Sequence, residues 1–277
     1  MEFSSHNRTL TITKKTGVIG IINVTPDSFV ATSRAQTEAE IIARAREYIE
    51  GGADILEIGG ESTGPGSKDI SVSDECARVL PAVQILRQHF PQCWIAVDTY
   101  KADVASQAFA AGADLINDVT AGRGDDRMFS VVSEARCPFI VMYAKDLSAR
   151  TTIADAHYVD VIATITSFLT ERIDAAKKSG ITQIIVDPGL GHFVSADPAV
   201  SWEILTRLAE LITLGPILVS PARKSFLAGP TQLPASLRLP ATIAANCLAS
   251  VNGASFIRTH DVRQTRQALD AVSSILR

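Results

Sequence analysis

Eight short apolar runs recur along the 277-residue sequence, and each ends on a polar or charged residue that precedes a loop and a helical pattern. The residues that end these runs are Asn23, Glu57, Asp98, Asn117, Tyr143, Asp187, Ser220 and Arg258. Eight successive β/α units predict one (β/α)₈ TIM barrel domain spanning residues 1–277. Residues 8–14 alternate polar and apolar, which adds a short N-terminal strand or hairpin at the barrel bottom. Because barrel active sites lie where the strands end, the eight polar residues are the first candidates for a site.

Composition restricts the partners of this chain. Hydrophobic residues make up 46% of it and aromatic residues only 6%, which suits a barrel interior of Val, Ile, Leu and Ala. The net charge of −4 argues against nucleic acid or an anionic membrane surface as a partner. The four cysteines have no metal-ligand spacing, and no apolar run is long enough for a membrane span or a secretory signal. We therefore expect a cytoplasmic protein that binds small molecules.

Helical patterns with readable ends follow several of the runs. Thr37 and Glu40 form a capping-box pattern before one helix, a second pattern covers about residues 159–178, and a third covers 262–276. Four strand-to-helix loops are long, at residues 24–36, 59–72, 143–156 and 228–238. Long loops cost ordering entropy, so we expect these four to grip a substrate and exclude water.

Asp98, Asn117 and Asp187 are the sharpest chemical signal, since each ends a strongly apolar strand. Side chains at these positions are expected to point into one recess above the barrel. Two carboxylates and an amide there match a flat heterocycle that presents several N–H donors and a carbonyl. The alternative is that strand-end Asp and Asn residues merely cap the helices that follow them.

A cationic set follows the seventh and eighth strands, where barrels of this type usually bind phosphate. It consists of Arg223, Lys224, Arg258 and His260. Arginine can donate to two phosphate oxygens at once, and lysine and histidine add further donors. Asn23, at the end of the first strand, can bind a metal or phosphate oxygen. The alternative for Arg223 and Lys224 is a solvated surface pair.

Taken in chain order, the motifs around these residues resemble those of dihydropteroate synthase. They are Gly20–Phe29, Ile58–Thr63, Val97–Thr99, Ile116–Asp118, Asp187–Gly191, Arg223–Phe226 and Arg258–Asp261. Enzymes of this family condense 6-hydroxymethyl-7,8-dihydropterin diphosphate with p-aminobenzoate (pABA) and release pyrophosphate in folate biosynthesis. The resemblance therefore implies a transferase whose substrates are these two small molecules.

The resemblance also implies a role for individual residues. The pterin would be held by Asp98, Asn117, Asp187 and Lys224. The diphosphate would be held by Asn23, Thr63, Arg258 and His260, with Asn23 acting through Mg²⁺. The pABA site would be bordered by Thr63, Pro65, Phe193 and Ser225. The implied catalytic residues are Asn23, Lys224, Arg258 and His260, and the implied assembly is a homodimer.

Five positions depart from the family pattern. Gly64 replaces an arginine, Glu57 an aspartate, Ala222 a serine and Tyr143 a histidine, and Gly191-His192-Phe193 stands where Gly-Phe-Gly is usual. Such changes look like those of the mobile sulfonamide-resistant dihydropteroate synthases. They lead to the hypothesis that this enzyme discriminates pABA from sulfonamides by a reshaped pocket.

Two other functions stay open from the sequence. A pterin-dependent methyltransferase shares the strand-end Asp and Asn, but it has no pyrophosphate to bind and so no need for Arg258 and His260. A non-catalytic paralogue that binds pterin without turnover would be favoured by Gly64 and Glu57, since the first removes a cation and the second alters a carboxylate beside the diphosphate.

Overall fold

Eight parallel strands form a barrel in the computed structural model, which describes residues 1–6, 8–14, 16–25 and 37–275. The barrel strands are β3 (Gly17–Asn23), β4 (Ile55–Gly59), β5 (Trp94–Asp98), β6 (Leu115–Asp118), β7 (Phe139–Met142), β8 (Ile184–Asp187), β9 (Leu218–Val219) and β10 (Phe256–Thr259). Strands β3 to β8 pair in chain order, and β10 lies between β3 and β9. A bridge between Val186 and Ile217 brings β8 to the segment that leads into β9. The predicted (β/α)₈ barrel is confirmed.

Helices alternate with these strands and pack around the barrel. They are α1 (Glu38–Glu50), α2 (Val72–His89), α3 (Ala102–Ala111), α4 (Met128–Ala135), α5 (Val161–Lys178), α6 (Pro198–Thr206), α7 (Leu239–Val251) and α8 (Val262–Ile275). The capping box before α1 is present: the Thr37 hydroxyl accepts from the Glu40 amide, and the Glu40 carboxylate accepts from the Thr37 amide. The helices predicted near 159–178 and 262–276 are α5 and α8. Within the described ranges, no helix has the length and apolar character that a membrane crossing requires.

The N-terminal prediction is also confirmed. Strands β1 (Glu2–Ser5) and β2 (Arg8–Thr11) form an antiparallel hairpin. Phe3 of this hairpin packs against Phe256 inside the barrel, with ring centroids 5.8 Å apart. The hairpin therefore closes the bottom of the barrel with apolar side chains and leaves the opposite end for a site.

Side chains that point into the barrel form layers, because successive strand residues alternate between the two faces of a sheet. The lower layer is apolar and fully packed, and includes Ile19, Ile55, Trp94, Leu115, Ile140, Ile185, Leu218 and Phe256. Burying each such side chain contributes about 1.5–3 kcal/mol. The inward positions above these form what we call the upper layer, which on β5 comes after Ala96: Ile21, Glu57, Asp98, Asn117, Met142, Asp187, Ser220 and Arg258.

The predicted end of the second barrel strand is wrong. We expected the second barrel strand to stop at Glu57, but β4 continues through Ile58 to Gly59, where Gly59 is paired with both Asn23 and Asp98. Glu57 therefore lies inside the strand, with its side chain in the upper layer and fully buried. The loop before α2 begins after Gly59. Residues 26–36 of the predicted first loop, and residue 276 of the last predicted helix, lie outside the described residues.

Candidate active site

A cavity of about 810 Å³ opens above the upper layer, at the carboxyl end of the barrel strands. Of the eleven residues to which the family resemblance assigns a role, nine line it: Asn23, Thr63, Pro65, Asp98, Phe193, Lys224, Ser225, Arg258 and His260. The other two, Asn117 and Asp187, lie in the upper layer and are each 4% exposed. A cavity of this size is at the upper end of the range for small-molecule sites, so it offers room for more than one small ligand.

Arg258 is the centre of a buried ion cluster in the upper layer. Its Nη2 donates to Oδ2 of Asp98 over 2.8 Å, and its guanidinium also donates to the Glu57 carboxylate. The second oxygen of Glu57 accepts from the Asn117 side-chain amide over 3.0 Å. Burial opposes the charge of Arg258, but Glu57 and Asp98 together raise its pKa above the usual value. Two carboxylates thus share one guanidinium.

Asp98 has an unusually high pKa for an aspartate. Burial raises the pKa of Asp98 to about 7; the Arg258 guanidinium lowers it, and the Glu57 carboxylate raises it further. The Asp98 carboxyl therefore exchanges a proton near neutral pH. A titratable acid with a perturbed pKa in a cavity is typical of a functional site.

Asn117 and Asp187 present acceptors beside this cluster. The Asn117 Oδ1 is buried and has no hydrogen-bond partner among the described residues, which is rare for a buried polar atom and points to a ligand. Burial raises the pKa of Asp187 to about 6, although Lys224 lowers it, and the Asp187 carboxylate accepts from the Gly189 amide over 2.7 Å. These acceptors are suited to a ligand with several N–H donors, as the sequence predicts.

Lys224 brings a positive charge to the same side of the cavity. Its Nζ donates to the Leu190 carbonyl over 3.2 Å and lies 5.2 Å from the centroid of the Phe193 ring. Burial lowers the pKa of Lys224 to about 8, an effect that the charge of Asp187 partly offsets. Lys224 is therefore mostly protonated at pH 7 and can still donate to a ligand acceptor.

His260 lies in the cavity wall as predicted, but the expectation that it is cationic is wrong. Burial and the nearby Arg258 charge lower its pKa to about 3, so the ring is neutral near pH 7. Its Nδ1 is buried and has no partner in the part of the chain that the structure describes. A neutral imidazole offers one N–H donor to an anion, not a full charge.

Arg223 is the second member of the cationic set for which the prediction has to be corrected. Its guanidinium forms a two-fold contact with Asp261, over 3.0 Å from Nε and 2.7 Å from Nη2. Its Nη1 donates to the Ala235 and Ser236 carbonyls. With these acceptors in place, Arg223 fixes the loop after β9 against α8 and has little capacity left for a phosphate. Of the predicted cationic set, Lys224 and Arg258 are the members that still offer a positive charge to the cavity.

Oxygen donors lie at the end of β3. Asn23 lines the cavity, and the Thr25 hydroxyl beside it is buried without a hydrogen-bond partner among the described residues. Within those residues, no group of three or more His, Cys, Asp or Glu is arranged to hold a metal ion. Mg²⁺ takes oxygen ligands and is commonly bound through one or two side chains plus substrate phosphates, and the Asn23 and Thr25 oxygens fit that mode.

The five departures from the family pattern lie in three places. Gly64, His192 and Ala222 line the cavity. Glu57 lies below it in the upper layer. Tyr143 lies outside the barrel, where its ring packs 5.3 Å from that of Phe168 in α5.

The sequence analysis missed the polar residues that hold the cavity wall. Glu61 accepts from Lys101 over 2.6 Å and also from Arg150, and Lys101 donates to Glu75 over 2.7 Å. Lys145 donates to the His192 carbonyl and ties the loop after β7 to the loop after β8. Lys101, Lys145 and Arg150 each lie in a loop or at a helix start, where one sequence gives no sign of their partners.

Comparison with known proteins identifies the class of enzyme to which this barrel and its upper layer belong. The sequence matches the family "Pterin binding enzyme" over residues 19–260. It is 35% identical over 268 residues to the dihydropteroate synthase of Synechocystis sp., covering 95% of this chain and 91% of that protein. It is 33% identical to the Bacillus subtilis dihydropteroate synthase, covering 96% and 91%.

Solved structures give the same result. The Yersinia pestis dihydropteroate synthase in a sulfonamide drug complex superposes with a TM-score of 0.91 at 30% identity, covering 100% of this chain and 99% of that one. The Xanthomonas albilineans dihydropteroate synthase with 4-aminobenzoic acid gives 0.89 at 35% identity, covering 99% and 98%. The chain belongs to the dihydropteroate synthase family and is a transferase.

Proposed function

We propose that this enzyme joins 6-hydroxymethyl-7,8-dihydropterin diphosphate to pABA and releases pyrophosphate, using the residues of the upper layer and the cavity above it. The observation that carries the proposal is the arrangement of buried acceptors and cations around one cavity. Asp98, Arg258 and Lys224 line the cavity, and the nearly buried Asn117 and Asp187 lie in the upper layer below it.

The acceptor groups at the bottom of the cavity account for pterin recognition. The pyrimidine edge of a dihydropterin presents N–H donors, which the carboxylates of Asp98 and Asp187 and the unpartnered Oδ1 of Asn117 can accept. Lys224 then donates to an acceptor of the bicyclic ring. Hydrogen bonds to charged groups contribute about 1.5–3 kcal/mol each, enough to orient the ring in the recess.

The leaving diphosphate needs positive charge and N–H donors. Arg258 supplies both, and His260 adds one neutral N–H until an approaching anion favours its protonation. Asn23 would hold Mg²⁺ against the diphosphate, with Thr25 beside it; this ion, when bound, supplies neutralisation of the charge that develops on the leaving oxygens. Pre-arranged groups of this kind stabilise a developing charge with little reorganisation.

In the transfer, the bond between the exocyclic methylene carbon and the diphosphate oxygen breaks, and the pABA nitrogen forms a bond to that carbon. The electron-rich dihydropterin ring delocalises the positive charge that develops on the methylene carbon, and the amine proton passes to solvent. No covalent enzyme nucleophile is needed. Thr63, Pro65, Phe193 and Ser225 border the space left for the aryl amine, so they would hold it in line and exclude water.

The test is a measurement of pyrophosphate release and dihydropteroate formation with both substrates and Mg²⁺. Formation of the two products in equal amounts supports the proposal. Pterin binding without product would favour a non-catalytic paralogue. Methyl transfer from methyltetrahydrofolate to a corrinoid would favour a methyltransferase.

Reduced sulfonamide sensitivity is a finer part of the proposal. It is supported by the position of Gly64, His192 and Ala222, three departures that line the cavity. We expect the ratio of the sulfonamide inhibition constant to the KM for pABA to be larger than for the Yersinia pestis enzyme. Equal ratios for the two enzymes would refute this part. We further propose a homodimer, which analytical ultracentrifugation tests.

A further inference from the structure

The loop between β4 and α2 forms one wall of the cavity. Residues 61–68 of it line the space, including Thr63 and Pro65. The loop has few contacts of its own: the Ser67 amide and hydroxyl bond to the Gly64 carbonyl, and the Ile70 amide donates to Glu61 over 3.3 Å. At Gly64 there is no side chain to tie the loop down.

Arg150, which comes from the segment between β7 and α5, holds this loop from outside the cavity. Its guanidinium makes four hydrogen bonds and one further ion pair, and four of these five partners belong to the β4–α2 loop. The hydrogen-bond acceptors are the Glu61 carboxylate, the carbonyls of Ser67 (3.2 Å) and Lys68 (2.8 Å), and the Tyr100 hydroxyl (3.4 Å), and the ion pair is with Asp69. The Arg150 side chain is 16% exposed and that of Glu61 only 3%, so their contact is shielded from water, whereas Asp69 is 81% exposed.

Both ends of this contact are anchored. On one side, Lys145 donates to the Asp146 carboxylate, the Thr151 hydroxyl and the His192 carbonyl, over 2.7, 3.1 and 2.9 Å, which fixes the segment that carries Arg150. On the other side, the second carboxylate oxygen of Glu61 accepts from Lys101 over 2.6 Å. The guanidinium therefore joins two segments that are each tied to the barrel.

We propose that Arg150 is a positioning residue for the pABA site. It fixes the wall that carries Thr63 and Pro65. An arginine of the β7–α5 segment thus contacts a loop in which Gly64 stands where the family pattern has an arginine. The inference rests on the proposed function for its substrate and on the described contacts for its geometry. Arg150 does not line the cavity, so it acts on the aryl amine through the loop and not by contact.

Hydrogen exchange on the full-length protein tests the geometry. In Arg150→Gln, we expect the amides of residues 64–70, including Ile70, to exchange about tenfold faster or more, because the loop opens locally. Arg127→Gln is the matched control: Arg127 also binds two carboxylates, those of Asp103 and Asp125, but it is 59% exposed and does not line the cavity. Unchanged exchange at 64–70 in Arg150→Gln overturns the proposal.

Steady-state kinetics test the role. We expect Arg150→Gln to raise the KM for pABA about tenfold or more, since small misplacements of a binding group are costly. The KM for dihydropterin diphosphate should rise less than that for pABA, because the residues assigned to the pterin do not contact Arg150 and Thr63 is the one residue of this wall that is also assigned to the diphosphate. A parallel rise of both KM values, or faster exchange with an unchanged KM for pABA, overturns the positioning role. If the wild type forms no dihydropteroate, the synthase assignment fails, and the exchange experiment still decides whether Arg150 fixes the loop.

Discussion

Asp98→Asn should change stability in a direction that depends on pH. The pKa of Asp98 is raised from 3.8 to about 7, so the folded protein keeps this proton to a higher pH than the unfolded chain does. Between these two values the unfolded chain binds fewer protons, and the free energy of unfolding falls as pH rises. One pKa unit corresponds to ~1.4 kcal/mol, and integrating from pH 5 to pH 8 gives a loss of about 2–3 kcal/mol from this one group.

Asparagine has nearly the shape of a protonated aspartate and cannot ionise. We therefore expect the Asp98→Asn variant, relative to wild type, to gain about 2–3 kcal/mol of stability between pH 5 and pH 8, while its pterin binding weakens. Urea unfolding of both proteins across this pH range measures the gain, and titrating groups that do not interact with Asp98 cancel in the difference. Asp103→Asn, at an exposed carboxylate paired with Arg127, serves as the control and should show no such gain.

A variant that is equally destabilised at pH 5 and pH 8 would refute the reasoning. That result would mean that the contact between Asp98 and Arg258 outweighs burial and the repulsion from Glu57, so that the Asp98 carboxylate is ionised throughout.

Three further predictions concern single groups. Lys224→Met should weaken pterin binding about 10- to 100-fold at pH 7, as expected for a lost charged hydrogen bond. Because the pKa of Lys224 is about 8, the wild-type affinity for pterin should decline as pH rises through that value, and the affinity of the variant should not. Titration calorimetry measures both affinities. Asn23→Ala should raise the Mg²⁺ concentration for half-maximal rate about tenfold, and leave binding of a pterin without diphosphate unchanged. Thr37→Ala removes the capping box of α1 and should cost about 1 kcal/mol in urea unfolding, with little effect on either KM.

Much of the fold was predictable because it depends on local patterns. Apolar runs at regular spacing gave the barrel, and the Thr37–Glu40 pair gave the start of α1. The extent of β4 was not predictable in this way, because Glu57 interrupts the apolar run and reads as its end. In the barrel its side chain points inward at the next layer above Ile55, where Arg258 of a strand far away in sequence pairs with it.

Without the family resemblance, the candidate site was predictable only where a residue's position on a strand fixes its direction. Four loop residues that line the cavity came from the resemblance: Thr63, Pro65, Phe193 and Ser225. Alternation along the strands places Asp98, Asn117 and Asp187 in the upper layer without knowledge of the loops. The charge of His260 was mispredicted because it depends on burial and on the nearby Arg258. The roles of Arg223 and Arg150 depend on acceptors in other loops, and loop geometry produces no periodic pattern in a sequence.

Glu57 explains how the upper layer can bind a ligand without leaving a buried charge unpaired. If Asp98 were the sole partner of Arg258, a pterin that engaged Asp98 would leave a guanidinium buried and unpaired, and an unpaired buried charge costs several kcal/mol. Glu57 is fully buried and binds both Arg258 and Asn117, so it keeps Arg258 neutralised whether Asp98 faces the arginine or a substrate. The same second carboxylate raises the pKa of Asp98 and lowers the stability of the empty site near neutral pH. A ligand that donates N–H groups to Asp98 stabilises its ionised carboxylate, so ligand binding offsets part of this loss of stability.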